Sequence, residues 1–204
     1  MTHRHRTSQN LGCVVLIKQE SVLDSKVVDG QQRLTTLTVL LSALRETVED
    51  PELAGDLTHF LYAKGNKALG TSNRYRLLVR DRDREFFQTY VQSPGGLAKL
   101  VGLDHTWVES ISQENLRLNG GFLFGKLKAL DEATRQRLAT FMLNRCVLVV
   151  VSSPDIDSAY RIFSILNDRG LDLSHADILK AMPLNIGYLA VSCHLVVSYS
   201  LFAL

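Results

Sequence analysis

Apolar and polar positions divide the chain into short apolar runs and longer amphipathic segments. Residues 12–18, 26–29 and 147–151 are short runs rich in apolar and β-branched side chains, which predicts three strands. Apolar residues at steps of three and four predict helices over residues 31–49, 52–62, 113–130 and 132–144. The fold class predicted is therefore α+β, with a small sheet in a predominantly helical surround and extension. The order of the strands in that sheet does not follow from the sequence.

A further helix is predicted after the third strand. Ser153 would cap it and Pro154 would be its first residue, with acidic residues in the first turn. The inner face of this helix is predicted to contain Ile156, Ala159, Phe163 and Leu166. The helix would end at Asn167–Gly170, where a glycine suits the left-handed C-terminal turn.

The turn between the second strand and the first long helix carries candidate chemistry. A helix N-terminus offers backbone N–H groups and a partial positive charge, which suit a phosphate. Gly30 lets the backbone approach a ligand, and Arg33 could add a bidentate fork. Gln31 and Gln32 supply uncharged donors, while Asp29 could orient a water molecule or a metal-bound water.

The same turn has an ordinary structural interpretation. Asp29 can cap the helix, and Gln32 stands three residues later, in the capping-box position. A well-capped helix after a strand, with a surface arginine, would show the same residues. Short motifs match by chance, so spacing alone does not decide between the two interpretations.

Composition and charge limit the classes of protein to which this chain can belong. The 204 residues are 46% hydrophobic and 22% charged, which predicts a folded core. The net charge of +2 gives no general case for nucleic-acid binding, so any such surface must be local. Three widely spaced cysteines favour a reducing cytoplasm over a disulfide framework. Neither Cys-x-x-Cys nor His-Glu-x-x-His occurs, so no metal site is predicted.

Two further segments allow opposing interpretations. Residues 74–84 contain five arginines, which suggests contact with a DNA backbone, but the three acids Asp81, Asp83 and Glu85 favour a salt-bridged surface. Residues 74–79 also have strand character.

Residues 120–126 match the spacing of a P-loop up to its lysine, but Leu127 stands where serine or threonine would hold magnesium. We predict a helix there.

Two blocks together resemble a known family. The stretch Asp29-Gly30-Gln31-Gln32-Arg33-Leu34-Thr35-Thr36-Leu37 resembles the signature of the ParB-like domain in GmrS/GmrD-type restriction systems. Residues 163–170, followed by Leu173-Ser174 and by residues 177–180, resemble a later block of the same family. The resemblance implies a ParB-like sheet in a domain over residues 11–181, after a disordered segment over residues 1–10. The family's upstream motif, of the form Q-R-x-Y-x-W, has no counterpart, so the domain is expected to be truncated at its start.

The resemblance also implies a function. The domain would bind a nucleoside triphosphate, GTP or ATP with Mg²⁺, and intact relatives would hydrolyse it in phage defence against modified DNA. Asp29 would be catalytic, placing the attacking water or a metal. The implied phosphate-binding residues are Gly30, Gln31, Gln32, Arg33, Thr36, Asn167, Arg169 and Gly170.

DNA cleavage would be carried out by a separate His-Asn-His nuclease domain or subunit. None of the six histidines lies in the context that such a site needs, so no nuclease site is expected here. The alternatives are a non-catalytic helical module that binds DNA or a protein, and an inactive fragment.

The last segment departs from this pattern. No charged residue follows Lys180, and residues 182–204 are strongly apolar. A reading-frame break, a core helix and a membrane anchor are the three explanations, and a non-native continuation is the one expected. Interspersed serines and the absence of a basic flank argue against association with a membrane.

Overall fold

The computed structural model describes residues 8–19, 24–168 and 188–190. Its elements in chain order are β1 (Gln9–Ile17), β2 (Lys26–Asp29), α1 (Gln31–Thr47), α2 (Pro51–Leu61), β3 (Tyr62–Ala63), β4 (Arg74–Tyr75), α3 (Asp81–Phe87), α4 (Gly96–Val101), α5 (Ile111–Lys128), α6 (Glu132–Arg145), β5 (Cys146–Ser153), α7 (Ile156–Asp168) and β6 (Tyr188–Ala190). A π-helical segment, Gln88–Gln92, continues from α3. The chain divides into two compact units, one from Met1–Gln31 with Leu143–Leu204 and one from Gln32–Met142.

The first unit is a four-stranded mixed sheet with α7 packed against it. The strand order is β2-β1-β5-β6. β1 pairs antiparallel with β2 and parallel with β5, and β5 pairs antiparallel with β6. The two inner strands are those with the longest apolar runs, as expected for strands paired along both edges.

Side chains on both faces of β1 are buried. Val14, Val15 and Leu16 are consecutive, so they alternate between faces, and each is less than a tenth exposed. Val15 joins Val151, Ala159 and Ile162 in one hydrophobic cluster. This cluster attaches α7 to the sheet.

The second unit is helical apart from the two-residue ladder of β3 and β4. Its largest fully buried apolar side chains are Leu41, Leu44, Leu57, Leu61, Phe87, Val91, Leu97 and Leu100. A Cβ added at Gly120 of α5 would lie 2.8 Å from Leu100 Cδ2 of α4, so the two helices approach closely there. The predicted helix over the P-loop-like spacing is thus part of α5.

The α+β class is confirmed, as are the three predicted strands of the main sheet. α1, α2, α5 and α6 lie within three residues of their predicted bounds. The predicted strand over residues 74–79 is wrong in extent, since only Arg74–Tyr75 pairs. α4 was not predicted.

The start of α7 differs from the prediction. Ser153 is the last residue of β5, and α7 begins at Ile156. Asp155 is the capping residue instead, since its Oδ1 accepts the N–H of Ser158 at 2.8 Å. This shift exposes Ile156 and makes Ile162, rather than Ile156, part of the inner face.

Three residues of the apolar C-terminal segment are described. Tyr188–Ala190 pairs along its backbone with residues 149–151 of β5. Residues 1–7, 20–23, 169–187 and 191–204 lie outside the described residues, and so do the predictions made for them.

Candidate functional site

The turn between β2 and α1 is fixed by Gly30. Its φ is +90°, a backbone conformation that side chains with a Cβ rarely adopt. A Cβ built on Gly30 would lie 2.7 Å from Val14 Cγ2, inside van der Waals contact. The glycine is therefore required both by its dihedral angle and by the closeness of β1.

Asp29 and Gln31 flank this glycine. Asp29 is the last residue of β2, is half-buried, and pairs with Val15 of β1. Gln31 is exposed, and its Nε2 donates to the carbonyl of Val27 at 3.2 Å. Because α1 begins at Gln31, Gly30 occupies the N-cap position that the sequence assigned to Asp29. The predicted capping box is therefore wrong, because glycine has no side chain that could accept an N–H of the first turn.

The start of α1 presents polar side chains on one side. Gln32 and Thr36 are exposed and Arg33 is half-buried, and their spacing of three and four residues places them on one face. Leu34 and Leu37 are buried. No acidic residue stands in the first turn. A helix N-terminus with these side chains and no carboxylate in its first turn suits an anion.

The second predicted block is described only in part. The backbone of Asn167 lies near the end of α7, as predicted. Arg169 and Gly170 lie outside the described residues. The predicted approach of Asn167 and Arg169 to the ligand of the signature turn stays a prediction.

A buried arginine at the other end of α1 was missed by sequence reasoning. Arg45 is 7% exposed, and its guanidinium donates to the carbonyls of Gln92 at 2.7 Å and Ser93 at 2.9 Å. The same group donates to Ser42 Oγ at 2.9 Å. Burial lowers the pKa of Arg45, and the neighbouring carboxylate of Glu46 opposes that shift.

Glu46 extends this polar cluster to α4. Its two carboxylate oxygens accept the N–H groups of Leu97 and Ala98, each at 3.1 Å. These donors belong to the first turn of α4, where an acid is favoured. The short helix that sequence analysis missed is thus stabilised by a side chain about fifty residues away. No pattern in the sequence around α4 indicates that contact.

The arginine-rich segment forms ion pairs and hydrogen bonds within the protein. Arg84 pairs with Asp81, Arg82 approaches Asp83 at 3.5 Å, and Arg76 Nε donates to the carbonyl of His59 at 2.6 Å. These contacts agree with the interpretation as a salt-bridged surface.

The described histidines and acids do not assemble into a metal centre. Within residues 8–19, 24–168 and 188–190, no three His, Cys, Asp or Glu side chains are grouped so as to hold a metal ion. His59 and His105 are exposed, and His105 Nδ1 lies 3.2 Å from the carboxylate of Asp104. Among the helices of the described residues, none is long and apolar enough to cross a membrane.

Comparison with known proteins agrees with the two sequence blocks. A family model described as "GmrSD restriction endonuclease, N-terminal domain" matches residues 9–183. No curated protein and no solved structure matches the chain.

Proposed function

The chain belongs to the family of GmrSD restriction endonuclease N-terminal domains, and we propose that the turn at Asp29–Arg33 binds the phosphates of a nucleoside triphosphate. GTP and ATP, with Mg²⁺, are the candidate ligands. The domain would act in a restriction system that defends against phage by recognising modified DNA.

The observation that carries this proposal is the geometry at Gly30. Its positive φ and its approach to Val14 bring the start of α1 directly to the end of β2. The helix then begins with polar side chains and without an acid. A phosphate at this position would meet backbone N–H groups, the partial positive charge of the helix and donors from side chains.

Each residue has a distinct role in the proposal. Arg33 supplies the charged fork to a phosphate, while Gln32 and Thr36 donate hydrogen bonds from the same face. Gln31 is held by its bond to Val27, so it positions the turn and offers its backbone N–H. Asp29 lies one residue before the turn, where its carboxylate would place the attacking water.

Magnesium fits this donor set in one way. Mg²⁺ in triphosphate sites is commonly held by one or two carboxylates together with the phosphates. Asp29 is the acidic residue of this turn, so it would supply the protein ligand. The ion would neutralise charge on the phosphates.

The test is calorimetric titration of the protein with GTP and with ATP in the presence of Mg²⁺. Arg33→Ala should weaken binding by about 1.5–3 kcal/mol, the contribution of a hydrogen bond to a charged group. Arg137→Ala, which changes an exposed arginine of α6, is the matched control and should bind as the unmodified protein does. Bound triphosphate should also raise the temperature of unfolding, because it binds the folded state.

Equal affinity in the Arg33→Ala variant would remove the phosphate-binding role. The turn would then be an ordinary helix start, and the domain would be a binding module of another kind. Protection from unfolding by either nucleotide separates these two functions even where turnover is absent.

A second expectation concerns DNA cutting. We infer that this chain does not cut DNA and that a separate His-Asn-His nuclease domain or subunit does so. Purified protein should leave plain, hydroxymethylated and glucosylated DNA intact with Mg²⁺ or Mn²⁺ and either triphosphate. Cleavage that disappears in Asp29→Ala would contradict this and would place a nuclease site at the turn.

A further inference from the structure

Helix α5 has two opposite faces. One face is buried in the interior of the second unit, to which α5 belongs, and contains Gln113, Gly120, Phe124 and Leu127. The other is exposed, and its residues follow one another at alternating steps of four and three: Ile111, Asn115, Leu118, Phe122, Gly125 and Ala129. We call these six residues the α5 seam.

The α5 seam is unusual for a surface that faces water. Ile111 is 82% exposed, Phe122 62% and Leu118 53%. The alternation of four and three is the 3.5-residue repeat by which one helix packs along another. Three large exposed apolar side chains on one helix stripe, with small residues beyond them, are typical of an interaction site.

We propose that the α5 seam is the interface with a second copy of this chain, in which the two α5 helices pack antiparallel about a two-fold axis between Leu118 and Phe122. A two-fold interface must be complementary to itself. The α5 seam meets that condition in size and in charge.

The size match follows from the order of residues along the seam. In the antiparallel register, Ile111 faces Ala129 of the partner subunit, Asn115 faces the partner's Gly125, and Leu118 faces the partner's Phe122. Each outer pair joins a larger side chain to a small one. A parallel pair would instead place the two Phe122 rings together and leave Gly125 opposite Gly125.

Side chains of opposite charge flank the seam. Glu114 flanks it near the N-terminal end, and Lys128 flanks it on the same side near the C-terminal end. Antiparallel packing brings Glu114 next to the partner's Lys128, twice by symmetry. Glu114 is held in place by Arg117, whose guanidinium donates to both carboxylate oxygens at 2.7 and 2.9 Å.

Val101 of α4 widens the apolar surface near the axis. It is 52% exposed, and its Cγ2 lies 3.9 Å from the position of a Cβ on Gly121. The 18 residues of α5 span about 27 Å. One helix pair of this length lies at the small end of specific interfaces, so the dimer is expected to be reversible.

The first experiment measures mass against concentration by sedimentation. The protein should shift from 22.8 kDa toward twice that mass as its concentration rises. Phe122→Asp should raise the dissociation constant at least tenfold, because it buries a charge without a partner. Ile156→Asp, at an exposed apolar residue of α7, is the control and should leave the dissociation constant unchanged.

The second experiment tests the register by disulfide formation. Asn115→Cys combined with Gly125→Cys sets thiols of the two chains opposite one another, so oxidation should link the chains. Ile111→Cys places them about 27 Å apart along the helices, so no link should form beyond that of the unmodified chain. Circular dichroism of each variant checks that the helices remain folded.

The third experiment tests the charge pair. Lys128→Glu should weaken the dimer, and Glu114→Lys combined with Lys128→Glu should restore it. A monomer up to concentrations on the order of 1 mM, where even weak pairs associate, would overturn the proposal. So would a dimer whose dissociation constant is unchanged by Phe122→Asp. Linkage through Ile111→Cys, which faces its own copy only in a parallel pair, would overturn the antiparallel register.

Discussion

Helix α1 carries an arginine near each end, and the two ends are built differently. Arg33, in the first turn, is half-buried beside the exposed side chains of Gln32 and Thr36. Arg45, in the last turn, is buried and donates to two backbone carbonyls and one hydroxyl. One end presents the side chains of Gln32 and Thr36 to solvent, whereas the other uses a buried arginine to hold the chain together.

The comparison shows that position in the hydrophobic pattern does not separate an arginine proposed to bind a ligand from a structural one. Arg33 precedes the buried Leu37 by four residues, and Arg45 follows the buried Leu41 by four. Both therefore stand at the border of the same apolar face. What makes Arg45 structural is the segment packed against it, Gln92–Ser93, whose backbone carbonyls accept its hydrogen bonds.

The largest effect is expected at the structural end. Arg45→Ala should lower the free energy of unfolding by about 3–5 kcal/mol, because it leaves buried acceptors without their charged donor. Urea denaturation measures this loss. Arg137→Ala is the control and should change stability by less than about 0.5 kcal/mol, as is usual for surface positions. A loss below that limit in Arg45→Ala would contradict the structural role.

The next largest effect is expected for Gly30, which precedes the N-terminal end of α1. Gly30→Ala and Gly70→Ala both place a Cβ at a positive φ, which costs about 1–2 kcal/mol. Only Gly30→Ala also creates an overlap, with Val14, since a Cβ on Gly70 meets no atom within 4 Å. Gly30→Ala should therefore be the more destabilising by about 1–3 kcal/mol, the usual cost of overpacking, in the same urea measurement. Equal losses in the two variants would show that the contact with Val14 relaxes freely.

A smaller effect separates two threonines on the same helix. Thr38 is buried and its hydroxyl donates to the carbonyl of Leu34 at 2.8 Å, so Thr38→Ala should cost about 1 kcal/mol of stability. Thr36 is exposed, so Thr36→Ala should leave stability unchanged and weaken triphosphate binding. Denaturation and calorimetric titration of both variants would test this division. The opposite assignment of effects would contradict the division of α1 into an exposed face that binds and a buried face that stabilises.

The smallest effect compares the start of α1 with the start of α7. α1 has no acid in its first turn, whereas α7 is capped by Asp155. The N–H and hydroxyl of Ser158 lower the pKa of Asp155 below its usual range. A carboxyl with a lowered folded-state pKa stabilises above its unfolded pKa, about 3.9, and this contribution is lost as the pH falls through the folded value.

Asp155→Asn should therefore remove a small stabilisation at neutral pH and change nothing at the lowest pH. Thermal unfolding from pH 2 to pH 7 measures the difference between the two proteins. Asp157→Asn, in the same turn, is the control that keeps the bond from Asp155 to Ser158. A difference between Asp155→Asn and the unmodified protein that persists unchanged to pH 2 would contradict the electrostatic origin.

Features that depend on neighbouring residues were predictable from the sequence. The apolar runs predicted β1, β2 and β5, and the 3.6-residue periodicity predicted α1, α2, α5 and α6. The close approach of the backbone at Gly30 was also expected, and the ligand predicted for that turn stays a prediction. The two elements that flank the turn were correct to within two residues.

Features that depend on distant residues were not predictable. The parallel pairing of β1 with β5 joins residues more than 130 positions apart. α4 depends on Glu46, and the burial of Arg45 depends on Gln92 and Ser93. The start of α7 was misplaced because Ser153 continues β5 for its backbone pairing with Ile17, which leaves Asp155 to cap the helix.

The pairing of β1 with β5 also sets an order of events during synthesis. Residues 32–142 form a continuous unit, so its helices can fold as soon as that stretch of chain has emerged. β1 must wait for residue 153 before its ladder with β5 is complete, and the long loop closure slows that step. Until then β1 has an apolar edge open to other chains. Expression at low temperature or a slower rate of translation should therefore change the yield of folded protein through β1, even though β1 is among the first residues made.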